Sequence, residues 1–523
     1  MPAFGLVRVP STEMPATRTI LVAGTASHVG KSTVTTGLCR LIAESGTTVV
    51  PYKAQNMSNE ARVVLRPPHL GEPPSGEIGV AQTIQATAAG VRPTTDMNPV
   101  LLKPQGEGHS RLLLDGVATD SIAAGAYYTE HWHTAREHAL AAHDRLAEAA
   151  SVIVAEGAGS IAEINLQHRD LANTELARHA DADIILVADI ERGGVFAQVV
   201  GTLRLMPKDL RRRVVGVIIT KFRGDRALFA EGRAMLEAET GVDVLGVLPY
   251  TAYGLPEEDS LAYPDTEVAL RGDVDAAAAL EIAVPRLPRM ANTTDLDPLS
   301  TSTGVVLRFI PPDAELGDPD AVVLPGSKNT IDDMRDLERG GLATQLRQYE
   351  GPMVGICGGY QLLGERLVDP GHESPSGPEV IRGLAKLPVE THFSAEKTVA
   401  PVTWEYVGGS ILGAEPASVD GFVIHRGRTR ATGRVATPFT GSDGGPGALG
   451  ATVGDVTGTY LHGLFENDAI RTAFLDELFA AADIPPPAQT SQATLVDAID
   501  TVAAQLADAS VGQQLGLRGV AGA

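Results

Sequence analysis

The stretch Gly355-Ile-Cys-Gly-Gly-Tyr-Gln361 follows an apolar run at 352–356 and opens an apolar pattern typical of a helix. This order predicts that Cys357 lies on a sharp turn from a strand to a helix, which needs small residues such as the two glycines that follow, because a Cβ there would collide with the bend. The N–H groups and positive dipole at the start of the helix favour a thiolate and a negative oxygen forming beside it. We therefore interpret Cys357 as a catalytic nucleophile rather than a buried structural cysteine.

A cysteine nucleophile needs a base, and the sequence offers three histidines for that role. His462 is the first candidate, because a short predicted strand at 459–461 ends at it and a glycine follows. His425 and His392 compete with it, and the spacing alone does not decide between them.

A second motif, Gly24-Thr-Ala-Ser-His-Val-Gly-Lys-Ser32, lies between a predicted strand at 18–23 and a predicted helix. Strand, glycine-bounded loop and helix in this order predict a phosphate-binding loop, whose backbone N–H groups cradle phosphate oxygens. Lys31 adds a positive charge, and Ser32 can ligate Mg²⁺. Five residues separate the two glycines, so Thr25 stands where the strict pattern has its first glycine.

Apolar runs that alternate with helical patterns follow this loop at 151–155, 184–188, 214–220 and 244–248. They predict an α/β domain with a doubly wound parallel sheet, in which the strands are buried on both faces. Glu156 and Asp189 each directly follow one of these strands, on the rim that carries the phosphate loop. Either acid could be the second Mg²⁺ ligand, and Glu156 is our first choice.

Changes in composition divide the chain into five parts. We predict the following: a flexible tail at 1–16, a phosphate-loop domain at 17–250, a Pro-, Asp- and Glu-rich linker at 251–278, a second α/β domain at 279–470, and a helical segment at 471–523.

The totals exclude several classes of protein. The chain has 523 residues and a net charge of −23, which disfavours a nucleic-acid partner. Its two cysteines cannot form a disulfide framework, which is typical of a reducing compartment. The sequence contains no signal-peptide pattern and no apolar run long enough to span a membrane. We therefore expect a cytoplasmic protein without a membrane partner.

Several long motifs resemble the cobyric acid synthase family. The Cys357 stretch, Leu324-Pro-Gly-Ser-Lys328 and Tyr460-Leu-His-Gly-Leu-Phe465 resemble its class I glutamine amidotransferase domain, which has a flavodoxin-like α/β fold. The phosphate loop resembles that of the dethiobiotin synthetase group, which shares the five-residue spacing. The first half also resembles the family at Lys53-Ala-Gln-Asn-Met-Ser58, Met97-Asn-Pro-Val-Leu-Leu-Lys-Pro104, Asp189-Ile-Glu-Arg-Gly-Gly-Val195 and Lys221-Phe-Arg-Gly-Asp225. The resemblance covers residues 18–470.

The resemblance implies an ATP- and glutamine-dependent amidation of the b, d, e and g carboxylates of adenosylcobyrinic acid a,c-diamide, a corrinoid. It implies that Cys357 and His462 release ammonia from L-glutamine, while the N–H groups of Gly358 and Gly326 bind the oxyanion. The residues that it implies for ATP are Thr25, Gly30, Lys31, Ser32 and Thr33, with Mg²⁺ on Ser32 and Glu156. The candidate corrinoid-binding residues are Lys53, Asn56, Lys221 and Arg223.

The third member of the glutaminase site stays open. Many glutamine amidotransferases have a glutamate two residues after the histidine, but this chain has Leu464 there, and the nearest acid, Glu466, is four residues on.

Two alternative functions remain. Cobyrinic acid a,c-diamide synthase carries a Gly-Pro-Asp-type stretch where this chain has Ala54-Gln-Asn-Met57, which favours cobyric acid synthase over that enzyme or another glutamine-dependent amide ligase. A MinD-like ATPase switch is the non-enzyme alternative. Such switches usually carry a second lysine early in the phosphate loop, and residues 24–29 contain none.

Overall fold

The computed structural model describes residues 17–106, 108–256, 268–274, 279–374, 377–441, 445–487 and 494–516. The predicted flexible tail at 1–16 lies outside these residues, as do 257–267 and 275–278 of the predicted linker. In the described part of the chain, none of the helices combines the length and the apolar character needed to cross a membrane.

The first domain contains twelve strands and eight helices among its described residues. The strands are β1 (Arg18–Gly24), β2 (Val49–Tyr52), β3 (Gln55–Met57), β4 (Ala61–Leu65), β5 (Ser75–Gly79), β6 (Val100–Gly106), β7 (His109–Leu114), β8 (Val117–Ala123), β9 (Val152–Glu156), β10 (Asp183–Asp189), β11 (Val214–Phe222) and β12 (Val244–Pro249). The helices are α1 (Lys31–Glu44), α2 (Val80–Ala89), α3 (Ala124–Ala126), α4 (Trp132–Ala149), α5 (Leu176–His179), α6 (Val195–Leu205), α7 (Lys208–Arg211) and α8 (Ala230–Thr240).

Six of these strands form a parallel sheet in the order β12-β11-β10-β1-β9-β2. Helices cover both faces, so that Leu21 packs in one core with Ala139 of α4, and Ile20 packs in the other with Leu38 of α1. Burial on both faces explains why the strands are apolar without alternation. The predicted doubly wound sheet is thereby confirmed.

The second domain is built on a seven-stranded sheet in the order β13-β15-β14-β16-β17-β24-β23, with a five-stranded sheet beside it. Its strands are β13 (Ala269–Gly272), β14 (Leu280–Pro285), β15 (Val305–Ile310), β16 (Ala321–Leu324), β17 (Met353–Ile356), β18 (Arg366–Asp369), β19 (Glu379–Arg382), β20 (Val389–Tyr406), β21 (Ala417–Ala431), β22 (Phe439–Thr440), β23 (Gly450–Val453) and β24 (Val456–Thr459). Its helices are α9 (Asp297–Ser300), α10 (Thr330–Gly340), α11 (Leu342–Gln348) and α12 (Gly358–Leu363).

A long antiparallel hairpin, β20–β21, reaches from the second domain to the first, and the sequence analysis did not predict it. Val63 of β4 packs with Phe422 and Ile424 of this hairpin. The Ser75 hydroxyl donates a hydrogen bond to the carbonyl oxygen of Val399, at 2.7 Å. The hairpin is therefore part of the contact between the domains.

The C-terminal helical segment divides between the two domains. Helix α13 (Asp468–Ala481) places Phe474 in the core of the second domain. Helix α14 (Leu495–Asp508) and the short α15 (Val511–Gln514) return to the first domain. A Cβ on Gly37 of α1 would lie 2.6 Å from side-chain atoms of both Val502 and Leu506, so α1 and α14 approach closely at this glycine.

We expect Leu506→Ala to lower the free energy of unfolding by about 2–5 kcal/mol, because Leu506 is fully buried between α14 and α1. Urea unfolding followed by circular dichroism measures the change. Val496→Ala is the matched control on the same helix, since Val496 is 46% exposed and its truncation should cost no more than about 0.5 kcal/mol. Equal losses in the two variants would contradict the packing of α14 on the first domain.

Candidate functional site

The turn between β17 and α12 holds Cys357 in a strained backbone conformation, with φ +52° and ψ −104°. A non-glycine residue at positive φ is costly and is found where a nucleophile must be presented at a strand end. A Cβ on Gly358 would lie 2.7 Å from the nitrogen of Ser327, and one on Gly359 would lie 2.1 Å from the oxygen of Leu324. The two glycines are therefore required by close backbone contacts, as the sequence analysis predicted.

His462 follows β24 and is fully buried beside an acid that the sequence analysis did not find. Its Nδ1 lies 2.6 Å from Oδ2 of Asp295, and the N–H of Gly463 donates to Oδ1 of the same carboxylate at 2.8 Å. Among the described residues, Nε2 of His462 has no hydrogen-bond partner. The carboxylate thus fixes the imidazole through Nδ1 and leaves Nε2 free to exchange a proton.

The electrostatics of His462 connect it to Cys357. Burial lowers the pKa of this imidazole, but the Asp295 carboxylate and the Cys357 thiol outweigh burial and raise the pKa to about 10. A histidine of this kind stabilises an adjacent thiolate by carrying the positive charge itself. The buried group of Cys357, His462 and Asp295 can therefore perform nucleophilic catalysis.

The two competing histidines are engaged elsewhere. His425 contacts the carbonyl oxygen of Gly427 through Nδ1 at 2.7 Å and stacks on Tyr460 with 3.7 Å between ring centroids. Burial lowers the pKa of His425 to about 4. His392 pairs through Nε2 with Glu390. Of the three histidines, only His462 combines burial, an orienting carboxylate and a free ring nitrogen.

Gly326 lies beside the same centre. A Cβ on Gly326 would lie 3.2 Å from Cε1 of His462 and 2.9 Å from the oxygen of Ala291. The next residue, Ser327, is the one that a Cβ on Gly358 would strike. The turn after β16 and the start of α12 are thus packed together beside His462.

The phosphate loop is a compact turn closed by its own lysine. Gly30 has φ +92°, which favours glycine, and it caps the start of α1. The Lys31 ammonium group donates to the carbonyl oxygens of Ala26 and Gly159, each at 3.0 Å. The Thr25 hydroxyl donates to the Gln198 side chain at 3.3 Å. Residues 31–33 form the first turn of α1, so the N–H groups there face the loop.

Ser32 and Glu156 meet beside this loop. The Ser32 hydroxyl donates to Oε1 of Glu156 at 2.9 Å, and the Lys53 ammonium group approaches the same oxygen to 2.8 Å. The Gln85 amide donates to Oε2 at 2.5 Å. Burial opposes the charged form of this carboxyl, but Lys53 holds the pKa of Glu156 below its usual value. A hydroxyl and an ionised carboxylate at this separation are a donor set that fits Mg²⁺.

The competing acid, Asp189, has other partners. One of its oxygens accepts the N–H of Glu191 at 2.7 Å, and the other lies 3.0 Å from the ammonium nitrogen of Lys221. In the described residues Glu156 therefore stands beside Ser32, whereas Asp189 caps the turn after its own strand.

The four candidate corrinoid-binding residues form two groups. Lys53 and Asn56 are buried on the side of Glu156. On the other side, Lys221 donates to the carbonyl oxygen of His28 at 2.7 Å. Arg223 pairs with Glu191 at 2.7 Å and lies over an aromatic ring, 3.5 Å from its centroid. Lys221 therefore contacts the phosphate loop directly, and Lys53 is joined to it through Glu156, but the structure does not bring all four residues together.

Both halves of the chain match described domain families. Residues 20–259 match the CobQ/CobB/MinD/ParA nucleotide binding domain, and residues 281–470 match the CobB/CobQ-like glutamine amidotransferase domain. These matches confirm an α/β nucleotide-binding domain followed by an α/β glutamine amidotransferase domain.

Full-length relatives cover nearly the whole chain. The probable cobyric acid synthase of Halobacterium salinarum (strain R1) is 52% identical over 505 residues, which are 94% of this chain and 96% of the relative. The cobyric acid synthase of Synechococcus sp. (strain JA-3-3Ab) is 44% identical over 469 residues, 88% of this chain and 91% of that protein. That of Acaryochloris marina is 42% identical over 475 residues, with coverages of 89% and 92%. With identities this high over this much of both chains, the protein belongs to the cobyric acid synthase family of glutamine amidotransferases.

Proposed function

We propose that this protein uses ATP and L-glutamine to amidate the b, d, e and g side-chain carboxylates of adenosylcobyrinic acid a,c-diamide, giving adenosylcobyric acid in cobalamin biosynthesis. The observation that carries the proposal is the buried group of Cys357, His462 and Asp295, in one chain with a phosphate loop. The first site can release ammonia, and the second can prepare an acid to receive it.

In the glutaminase half, the Cys357 sulfur attacks the side-chain amide carbon of glutamine. The carbon–nitrogen bond breaks, and a γ-glutamyl thioester and ammonia form. The raised pKa of His462 favours an imidazolium beside a Cys357 thiolate, so Nε2 already holds the thiol proton before the attack. It gives this proton to the leaving nitrogen, while Asp295 stabilises the imidazolium. N–H groups of Gly358 and Gly326 bind the oxyanion, a contact of the kind worth about 3–4 kcal/mol in the barrier. Water then hydrolyses the thioester to glutamate.

In the amidation half, a corrinoid carboxylate attacks the γ-phosphorus of ATP, and an acyl phosphate and ADP form. Ammonia then displaces phosphate from the acyl carbon. Lys31 and the N–H groups at the start of α1 bind the phosphates. Ser32 and Glu156 would hold Mg²⁺, which neutralises phosphate charge when bound. Lys53, Asn56, Lys221 and Arg223 remain our candidates for contacts with the corrinoid.

Product mass tests the choice of substrate. With adenosylcobyrinic acid a,c-diamide, MgATP and glutamine, we expect a product that carries four added amides. Turnover of unamidated cobyrinic acid under the same conditions, with no turnover of the a,c-diamide, would support the a,c-diamide synthase instead.

Cys357→Ser should lower glutamine hydrolysis by at least about 10³-fold, because the nucleophilic sulfur is lost. Amidation with ammonium chloride in place of glutamine should continue, since the phosphate-loop site is unchanged. Glutamate release and product mass measure the two activities separately. A variant that still hydrolyses glutamine at the wild-type rate would refute the assignment of the nucleophile.

Asp295→Asn should lower kcat for glutamine hydrolysis by roughly 10²–10⁴-fold. The amide that replaces the carboxylate no longer stabilises the imidazolium, so the pKa of His462 should fall from its raised value. Steady-state glutaminase kinetics measure the loss, and Glu466→Gln is the comparison, because Glu466 is the nearest acid after His462 in the sequence. A larger loss in Glu466→Gln than in Asp295→Asn would show that the orienting acid is misassigned.

A further inference from the structure

A short segment of the first domain, at Glu60 and Ala61, contacts the loop that precedes Asp295. Oε1 of Glu60 accepts a hydrogen bond from the Thr293 hydroxyl at 3.0 Å, and Oε2 accepts one from the N–H of Thr294 at 3.2 Å. The N–H of Ala61 donates to the side-chain oxygen of Asn292 at 3.3 Å. Three consecutive residues directly before Asp295 are therefore held by the neighbouring domain.

The loop that Glu60 holds contains one residue in a left-handed conformation. Asn292 has φ +56° and ψ +46°, a region that asparagine tolerates better than most other non-glycine residues. Glu60 itself is fully buried, and burial raises its pKa. A buried carboxyl is costly unless hydrogen bonds satisfy it, and both of its oxygens accept bonds from this loop. The contact therefore ties the position of Glu60 to the position of Asp295.

Arg62 reaches the same centre from another direction. Its guanidinium pairs with Glu466, and one of its nitrogens lies 4.0 Å from Oδ1 of Asp295. The guanidinium carbon also lies 5.2 Å from the centre of the Phe422 ring. That ring in turn stacks on the His462 imidazole, with 4.9 Å between centroids and 13° between planes. Arg62 thus faces the carboxylate that orients His462 and the ring that packs against His462.

We infer that Glu60 and Arg62 are positioning residues of the glutaminase site: they belong to the nucleotide-binding domain and hold the Asp295–His462 pair in its catalytic orientation. The inference rests on the proposed glutaminase role of Cys357. Neither residue touches the nucleophile, so each acts through Asp295 or through Phe422.

One short segment of the first domain, residues 53–62, connects the phosphate site with the glutaminase site. The segment 53–62 begins at Lys53, whose ammonium group pairs with Glu156 beside the phosphate loop. It ends at Arg62, against the glutaminase site. A displacement of this segment at the phosphate site would therefore be transmitted to the orientation of Asp295, and glutamine hydrolysis depends on the first domain being docked.

Glu60→Gln in the full-length chain is the first test. The carboxylate of Glu60 accepts one hydrogen bond on each oxygen, whereas the glutamine amide has only one oxygen to accept with. One of the two bonds to the Thr293 hydroxyl and the Thr294 N–H is therefore lost, and we expect kcat for glutamine hydrolysis to fall by about tenfold. KM for glutamine should stay within about twofold, because the substrate's own contacts are kept. Amidation with ammonium chloride should keep the wild-type rate.

Ser75→Ala is the matched control. It removes a hydrogen bond between the same two domains, to the oxygen of Val399, but touches neither the 292–295 loop nor Arg62. We expect its glutaminase rate to stay within about twofold of wild type. An equal fall in Ser75→Ala and Glu60→Gln would overturn the inference, because it would show that loss of any hydrogen bond between the domains lowers the rate, with no specific role for Glu60.

The pair Arg62→Met and Arg62→Lys provides a second test, which also decides the question if Glu60→Gln does not fold. Lysine keeps a positive charge beside Asp295 and Glu466, so Arg62→Lys should recover part of the kcat that Arg62→Met loses. Wild-type kcat in both Glu60→Gln and Arg62→Met, in a protein whose glutaminase still requires Cys357, would overturn this inference alone. Glutaminase that survives Cys357→Ser would overturn the proposed function itself.

Discussion

The short contact between the Asp295 carboxylate and the His462 imidazole is the interaction on which the glutaminase half depends. Both side chains are about 2% exposed, so water does not screen their attraction. Without the carboxylate, burial would favour a neutral imidazole with no fixed tautomer. With it, Nδ1 is committed and Nε2 is the nitrogen left for the thiol proton. Asp295, which is distant from His462 in the sequence, thus determines the tautomer and the protonation of the histidine.

The residues of the glutaminase site follow four adjacent parallel strands of the second domain. Strands β14, β16, β17 and β24 are parallel neighbours, and the segments after them carry Asp295, Gly326, Cys357 and His462 respectively. The first domain follows the same rule, since β1, β9 and β2 are neighbours. At their carboxyl ends lie the phosphate loop after β1, Glu156 as the last residue of β9, and Lys53 directly after β2. Because parallel strands end on one rim, residues that are distant in sequence become neighbours.

The parts of the two sites that depend on neighbouring residues in the chain could be predicted from the sequence. The Cys357 turn and the phosphate loop could be identified because strand, glycine and helix signals lie side by side in the chain. Asp295 could not, because it is 167 residues from His462 and the two meet only through the successive pairing of β14, β16, β17 and β24. The spacing rule pointed to Leu464, which is not an acid, so the third member of the site stayed open. Glu466, the nearest acid along the chain, pairs with Arg62 instead. The β20–β21 hairpin was not predicted, because it packs against the first domain and such contacts leave no local sequence pattern.

The contact between the domains includes ion pairs and hydrogen bonds as well as the apolar cluster around Val63. Glu77 of the first domain pairs with its own Lys103 and with Lys397 of the second, each at 2.7 Å. Lys328 donates to the oxygen of Pro104 at 2.6 Å, and burial lowers its pKa to about 7. Buried pairs of this kind add little stability but penalise any other register of the two surfaces.

A fixed register matters because ammonia in open water near neutral pH is mostly protonated and then cannot attack an acyl phosphate. Lys328 follows the Gly326 turn by two residues and reaches into the first domain, so the same turn touches the glutaminase site and the domain contact. At this turn the Lys328 ammonium group donates to the side-chain oxygen of Asn59 and to the carbonyl oxygen of Pro104. Asn59 belongs to the 53–62 segment, so that segment and the Lys328 turn contact each other directly where the two domains meet.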